Sequence, residues 1–336
     1  MKCFDNDFNV LGYRAYIDSL FVYARQKRFR EVAPTGSLLQ PEAHLLFGNK
    51  DRLYAINKST LVTENLPVRG GWQLKRVTVE LECGVPIRGC LSLPVGKPKG
   101  LILLGHGSST TPEHCFNSEV PDYMNAIGAR LTEAGFAVWC SFVPHAGNQP
   151  SVYNMMALFA SQGIAFHHVI ISSLNAGIDV FTSLVGAKPK AVGQYGVSGG
   201  VYLTLHLLAA RGESWPTVLC GDFVDDTEYL VSRDMSLNYG KLMPGYLWMM
   251  NGIRPFLIPN IASLTYRAPL YFEVGVEDHG LLPNPLETMY MQGLINKFRA
   301  KYREKGSPAA LILGTFKGGH EVEGIEATAW LQKSLA

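Results

Sequence analysis

Ala191-Val-Gly-Gln-Tyr-Gly-Val-Ser-Gly-Gly-Val-Tyr-Leu-Thr-Leu-His-Leu-Leu-Ala-Ala210 is the stretch on which the fold turns. Its first part, Ala191 to Tyr195, is short and apolar and predicts a buried strand. Its last part, Val201 to Ala210, predicts a helix. Between them Gly196-Val-Ser-Gly-Gly200 matches G-x-S-x-G. With 34 glycines in 336 residues, chance alone supplies about 0.2 such matches, so the pattern counts only through its setting. A strand before it and a helix after it supply that setting. The small residues allow a tight strand-to-helix turn that lifts a serine hydroxyl clear of the backbone.

Working outward, the same rhythm continues on both sides. Val77, Val79 and Leu81 alternate with Thr78, Glu80 and Glu82, the period of a half-buried strand. Gly84 turns the chain, and Pro86 to Leu93 reads as the returning strand of a hairpin. Leu101 to Leu104 is wholly apolar, as in a strand covered on both faces. A helix is expected from about Asp122 to Ala134, stopped by Gly135. Ala137 to Phe142 is the next strand, and a long helical stretch runs from about Asn154 to Val185. Val218 to Asp222, Leu270 to Val276 and Leu311 to Phe316 are further strands. Helices are expected over about Pro285 to Tyr302 and after His320. Strands separated by helices imply crossover connections and an α/β fold with a mostly parallel central sheet.

Two segments stand outside this alternation. Residues 1–70, before Gly70-Gly71, read as an N-terminal helical extension and a possible cap, leaving 71–336 as the main domain. Residues 223–268 are too long for a simple connection, and carry Trp248, Met249 and other apolar residues among prolines and glycines. An inserted cap lining a pocket accounts for them; crossover helices packed on the sheet account for them equally.

Composition narrows the class. Hydrophobic residues make up 47% and charged residues 17%, a globular balance. The net charge of +2 gives no reason to expect nucleic acid or an anionic membrane as a partner. The basic run Ala24 to Arg30 reads as a solvated helix face. No signal-peptide pattern opens the chain, and no uninterrupted apolar stretch has the length of a membrane span. The six cysteines are scattered and resemble reduced core residues, so a cytoplasmic location is expected.

The chemistry-bearing residues follow from the serine. Ser198 needs a base, and a histidine can take a proton and return it near neutral pH. His320, in Phe316-Lys-Gly-Gly-His320, is best placed, after the last strand on a glycine-rich loop. Asp278, after the Leu270 strand, suits the acid that orients this histidine. Asp222, Asp225 and Asp226 compete for that role, and neighbouring Glu277 less so. An oxyanion needs two backbone donors. Gly199 supplies one, and Gly105-His-Gly-Ser-Ser109 the other through Ser108 first and Ser109 next, with His106 shaping that loop. His145, Trp248 and Met249 are candidates for binding substrate. No residue cluster has metal-ligand spacing and no nucleotide-binding glycine pattern occurs, so no metal and no cofactor are expected.

From about Gln73 to the C-terminus the chain resembles the α/β-hydrolase superfamily. The landmarks in order are Gly105-His106-Gly107, the turn around Ser198, and the loops bearing Asp278 and His320. The hairpin leading into Leu91-Ser-Leu-Pro94 is similar to the branch of dienelactone hydrolases, acetyl xylan esterases and oligopeptidases. The resemblance implies a mostly parallel sheet of about eight strands and a Ser198–His320–Asp278 triad. It also implies oxyanion donors at Ser108 and Gly199 and no metal. It departs at residues 1–70 and at Pro144-His-Ala-Gly-Asn148, both of which bear on substrate. The expected activity is that of a serine hydrolase acting on a carboxylic ester of a small or medium-sized, partly apolar molecule. C–C bond hydrolysis or a lyase reaction, a peptidase, and a non-catalytic ligand-binding role are the alternatives.

Overall fold

A strand covered on both faces must be apolar throughout, and Leu101 to Gly105 is buried at every position. The computed structural model describes residues 52–68, 70–107, 110–119, 122–143, 166–221, 258–278 and 286–336. Among these, nine strands form one sheet: β1 (Ile56–Leu66), β2 (Gln73–Leu81), β3 (Pro86–Leu93), β4 (Leu101–Gly105), β5 (Ala137–Ser141), β6 (Val192–Val197), β7 (Thr217–Cys220), β8 (Leu270–Gly275) and β9 (Leu311–Phe316). Their order is β1-β2-β3-β5-β4-β6-β7-β8-β9. The first three strands and β5 pair antiparallel, and every pair from β5 to β9 is parallel.

Helices cover both faces. On one, α2 (Phe166–Val185), α3 (Gly199–Arg211), α4 (Ile258–Thr265) and α5 (Leu286–Glu304) pack against the sheet, contributing Leu174, Leu205, Ile261 and Phe298 to the larger core. On the other, α1 (Ile127–Glu133) and α6 (Ile325–Ser334) bury Ile127, Leu131 and Leu331 beside Tyr195, Val218 and Tyr271. Among the described residues one helix, His167–Val185, is long and apolar enough to cross a membrane, and 67% of it is buried within the fold. It serves here as a core helix.

Two expectations are corrected. Residues 56–66 form β1, paired antiparallel with β2, so the described end of the 1–70 segment is strand rather than helix. As an edge strand β1 leaves most side chains exposed, which removes the half-buried alternation that marks a strand in sequence. The sheet of nine strands agrees with the expected mostly parallel sheet of about eight. Residues 123–126 are turns, with Met124 N–H donating to Asp122 Oδ1 and Asn125 and Ala126 left-handed, so α1 starts only at Ile127. Within the 223–268 segment, α4 contributes Ile261 and Ala262 to the core; the part from 223 to 257 lies outside the described residues. Residues 1–51 and 154–165 lie outside them as well.

A buried carboxylate anchors the hairpin to the loop after β4. Glu113 accepts from Arg76 Nε at 3.0 Å and Arg88 Nη2 at 2.9 Å, and Arg76 also pairs with Glu64. Burial alone would raise the Glu113 pKa, but the two guanidiniums outweigh it and hold the carboxyl below its ordinary range. Packing between β5 and α2 is equally tight. The fully buried Trp139 donates its Nε1–H to Ser173 O at 3.1 Å, fixing the ring against Gly177. A Cβ at Gly177 would stand 2.3 Å from Trp139 Cδ1. Gly177→Ala is therefore expected to lower unfolding stability by about 1–3 kcal/mol in chemical denaturation. A change within measurement error would contradict this packing.

Candidate active site

The site lies where the parallel strands end. β5 and β6 flank β4 on opposite sides, so the chain reverses its direction of travel across the sheet at β4. Crevices at such switch points, beyond the carboxyl ends of the strands, are where open α/β sheets bind ligands. Ser198 follows β6, Asp278 follows β8 and His320 follows β9.

Ser198 adopts φ 53°, ψ −128°, a backbone state that non-glycine residues rarely occupy. Two bonds hold it there: its N–H donates to Cys220 O at 2.8 Å, and Val201 N–H donates to its carbonyl at 2.8 Å. The flanking glycines are required by space. A Cβ at Gly196 would lie 2.4 Å from Thr204 Oγ1, and one at Gly200 would lie 2.1 Å from Gly105 O. The turn therefore brings β6, α3 and the end of β4 into backbone contact.

His320 Nε2 lies 2.9 Å from Ser198 Oγ, and its Nδ1 lies 2.8 Å from Asp278 Oδ2. An ionised carboxylate can only accept, so Nδ1 carries the proton and Nε2 is left to accept from the serine hydroxyl. Asp278 is 5% exposed and Ser198 8%, whereas the His320 side chain is 31% exposed. The Asp278 carboxylate is enclosed, and His320 is the most exposed of the three.

The acid and histidine loops are bound to each other directly. Val276 N–H donates to Phe316 O and Glu277 N–H to Gly318 O, at 2.9 and 2.8 Å. Their approach depends on Gly275, since a Cβ there would stand 2.2 Å from Gly319 O. Gly221 leaves room for the imidazole on the other side: its Cβ would be 3.1 Å from His320 Cε1.

Ser198 N–H is spent on Cys220, so it is not a donor for substrate. Gly199 N–H sits in the first turn of α3, where helical N–H groups lack intrahelical acceptors and the helix dipole favours negative charge. The loop after β4 runs alongside: a Cβ at Gly107 would lie 2.8 Å from Ser198 Cβ. Ser108 and Ser109 lie outside the described residues, as do His145, Trp248 and Met249, and the competing acids Asp222, Asp225 and Asp226. His106 is fully buried and braces the loop, its Nδ1–H donating to Gly107 O at 2.8 Å and its Nε2 accepting Val143 N–H at 3.0 Å. Tyr123 also enters the site. Its hydroxyl fills the space beside Gly107, 2.4 Å from where a Cβ would stand, and its ring lies 5.9 Å from that of His320. In sequence it sits in a stretch with helical spacing and carries no mark of the site. Among the described residues no group of three or more His, Cys, Asp or Glu could hold a metal ion.

No family model matches the sequence, and no curated protein matches it. Solved structures do. A Bacteroides fragilis protein assigned as an acetyl xylan esterase superposes with a TM-score of 0.59 at 12% identity, over 96% of this chain and 88% of its own. A highly thermostable carboxyl esterase from Bacillus coagulans superposes with a TM-score of 0.52 at 11% identity, over 82% of this chain and 99% of its own. The fold is that of the α/β-hydrolases. The turns after β6, β8 and β9 carry Ser198, Asp278 and His320 in that chain order.

Two expectations follow from this geometry. Burial pulls the His106 pKa from the ordinary 6.5 down to about 4, outweighing the bond to Gly107 O and the nearby Glu113 carboxylate. A lowered folded-state pKa gives stability that is full above pH 6.5 and is lost as pH falls toward 4. Between pH 7 and pH 4.5 this linkage amounts to about 2–3 kcal/mol. Denaturant unfolding should show wild type losing that much more over this window than His106→Gln, and parallel losses would contradict the assignment. Gly275→Ala should push the acid and histidine loops apart and lower kcat by about 10-fold or more, since small misplacements of catalytic groups are costly. Undiminished kcat in the folded variant would count against the contact.

Proposed function

We propose that the protein is a serine hydrolase that cleaves a carboxylic ester of a small or medium-sized, partly apolar molecule. One observation carries the reading: Ser198, His320 and Asp278 are hydrogen-bonded in series at 2.9 and 2.8 Å. The naming of both fold neighbours as esterases supports the choice of bond.

In this mechanism Ser198 Oγ attacks the acyl carbon as its proton passes to His320 Nε2. Asp278 stabilises the imidazolium without taking the proton. The carbonyl oxygen becomes an oxyanion facing Gly199 N–H and a second N–H at Ser108, each donor contributing roughly 3 kcal/mol to the transition state. Collapse breaks the ester C–O bond, and His320 returns the proton to the leaving alcohol. Water then gives its proton to the same nitrogen and attacks the acyl-enzyme, releasing the acid and restoring Ser198.

His145, Trp248 and Met249 are proposed to contact substrate, the last two from a Met- and aromatic-rich segment suited to an apolar acyl or alcohol part. The five described cysteines are buried free thiols, with Cys115 and Cys140 Sγ 3.7 Å apart, which supports the expected cytoplasmic location.

Ser198→Ala should lower kcat on a graded series of acyl esters by about 10⁴-fold or more while the protein stays folded. Near wild-type turnover on every ester would refute the mechanism. Cleavage of β-diketones in place of esters would move the assignment to C–C bond hydrolysis.

A further inference from the structure

Below the three residues of the triad lies a carboxylate that the mechanism does not use. Glu273, on β8, is 3% exposed within the smaller core. Such a group is costly to bury without partners, and its partners here are specific. Tyr195 on β6 donates its hydroxyl to Glu273 Oε2, and the backbone N–H of Gly324 donates to Oε1. The residue's own carbonyl accepts from Gly221 N–H at 3.0 Å. The strand register places Val197, Cys220 and Glu273 in one row, with Tyr195 two residues along on the same face. The carboxylate thus reaches diagonally across β7.

What these partners carry makes the arrangement more than a satisfied core polar group. Tyr195 lies three residues before Ser198, Glu273 five before Asp278, and Gly324 four after His320. Each oxygen therefore binds a segment that leads into or out of one triad member, while the side chain itself hangs from the strand that leads to the third. Cys220, between them, donates its thiol to Glu321 O at 3.5 Å, joining β7 to the segment that follows His320. Gly324 is left-handed at φ 67° and caps the start of α6, a backbone state that favours glycine. Arg130 Nη2 donates to Glu323 O from the other side.

We propose that Glu273 is a positioning residue that sets the relative placement of Ser198, Asp278 and His320 by bonding Tyr195 and Gly324 with its two carboxylate oxygens. The inference rests on the triad reading. Burial raises the Glu273 pKa, partly offset by its donors, and the tie needs two correctly directed hydrogen-bond partners rather than a charge. Glutamine supplies both, its oxygen accepting from Gly324 N–H and its amide donating to the Tyr195 hydroxyl.

The test compares Glu273→Gln, Glu273→Leu and Tyr195→Phe with wild type in the full chain. The readouts are kcat and KM on p-nitrophenyl acetate, thermal midpoint, and fluorophosphonate labelling of Ser198. Glu273→Leu should lower kcat by about 10–100-fold and Tyr195→Phe by about 3–10-fold, each with KM within about twofold of wild type. Glu273→Gln should stay within about threefold of wild type in kcat. A purely structural carboxylate would instead lower the thermal midpoint and leave kcat of the folded protein unchanged, and that result overturns the inference. So does a glutamine variant as impaired as the leucine variant. If Glu273→Leu does not fold, Tyr195→Phe, which removes one hydroxyl, decides. A wild type that neither labels nor turns over overturns the triad reading and this inference with it. A wild type that labels, with variants matching it in kcat, overturns the inference alone.

Discussion

The site depends on a single backbone constraint: Ser198 is held at φ 53°, ψ −128° between the end of β6 and the start of α3. Such a conformation costs on the order of 1–3 kcal/mol for a residue with a side chain, so the surroundings must enforce it. They do so by spending the serine N–H on Cys220 O and by packing Gly200 against the carbonyl of Gly105. Adding a single methyl group at Gly196 or Gly200 would break those contacts. The hydroxyl is thereby presented above the strand ends, and the N–H of Gly199 stands in the first turn of α3, where helical N–H groups have no intrahelical acceptor.

The remaining parts converge on that hydroxyl because the strands are parallel. Consecutive parallel strands place their carboxyl ends on one edge, so loops distant in sequence become neighbours. Asp278 and His320 are 42 residues apart, yet their loops share backbone bonds made possible by the absence of a side chain at Gly275. In the proposed triad a buried Asp278 carboxylate orients a partly exposed His320 imidazole that would serve as the base. Glu273 extends the same logic one layer down, joining strands whose ends must agree to within fractions of an ångström.

Much of this was legible in the sequence. Leu101 to Leu104 and Ala191 to Tyr195 are apolar because both faces of their strands are covered, and that pattern identifies a parallel sheet. The elbow is legible because its glycines are imposed by space, and the acid and histidine because each follows a strand in order. Where an element owes its form to other segments, the residues alone do not show it. β1 pairs through its backbone while exposing its side chains, so it carries no hydrophobic period. Turns at Asn125 and Ala126 are hidden inside a helix-like spacing. Glu273 reads as a lone charge in an apolar strand, and Tyr123 as a helix residue. Both acquire meaning only when the sheet brings Tyr195 and Gly107 beside them.

The account's central claim is that chemistry passes through a covalent bond to Ser198. Acid quenching during turnover of a slowly deacylating ester, followed by intact-mass and peptide mass spectrometry, measures this directly. The account predicts a mass increase equal to the acyl group, localised to Ser198 and absent in Ser198→Ala. Steady turnover with no adduct, or with the acyl group on another residue, would contradict it.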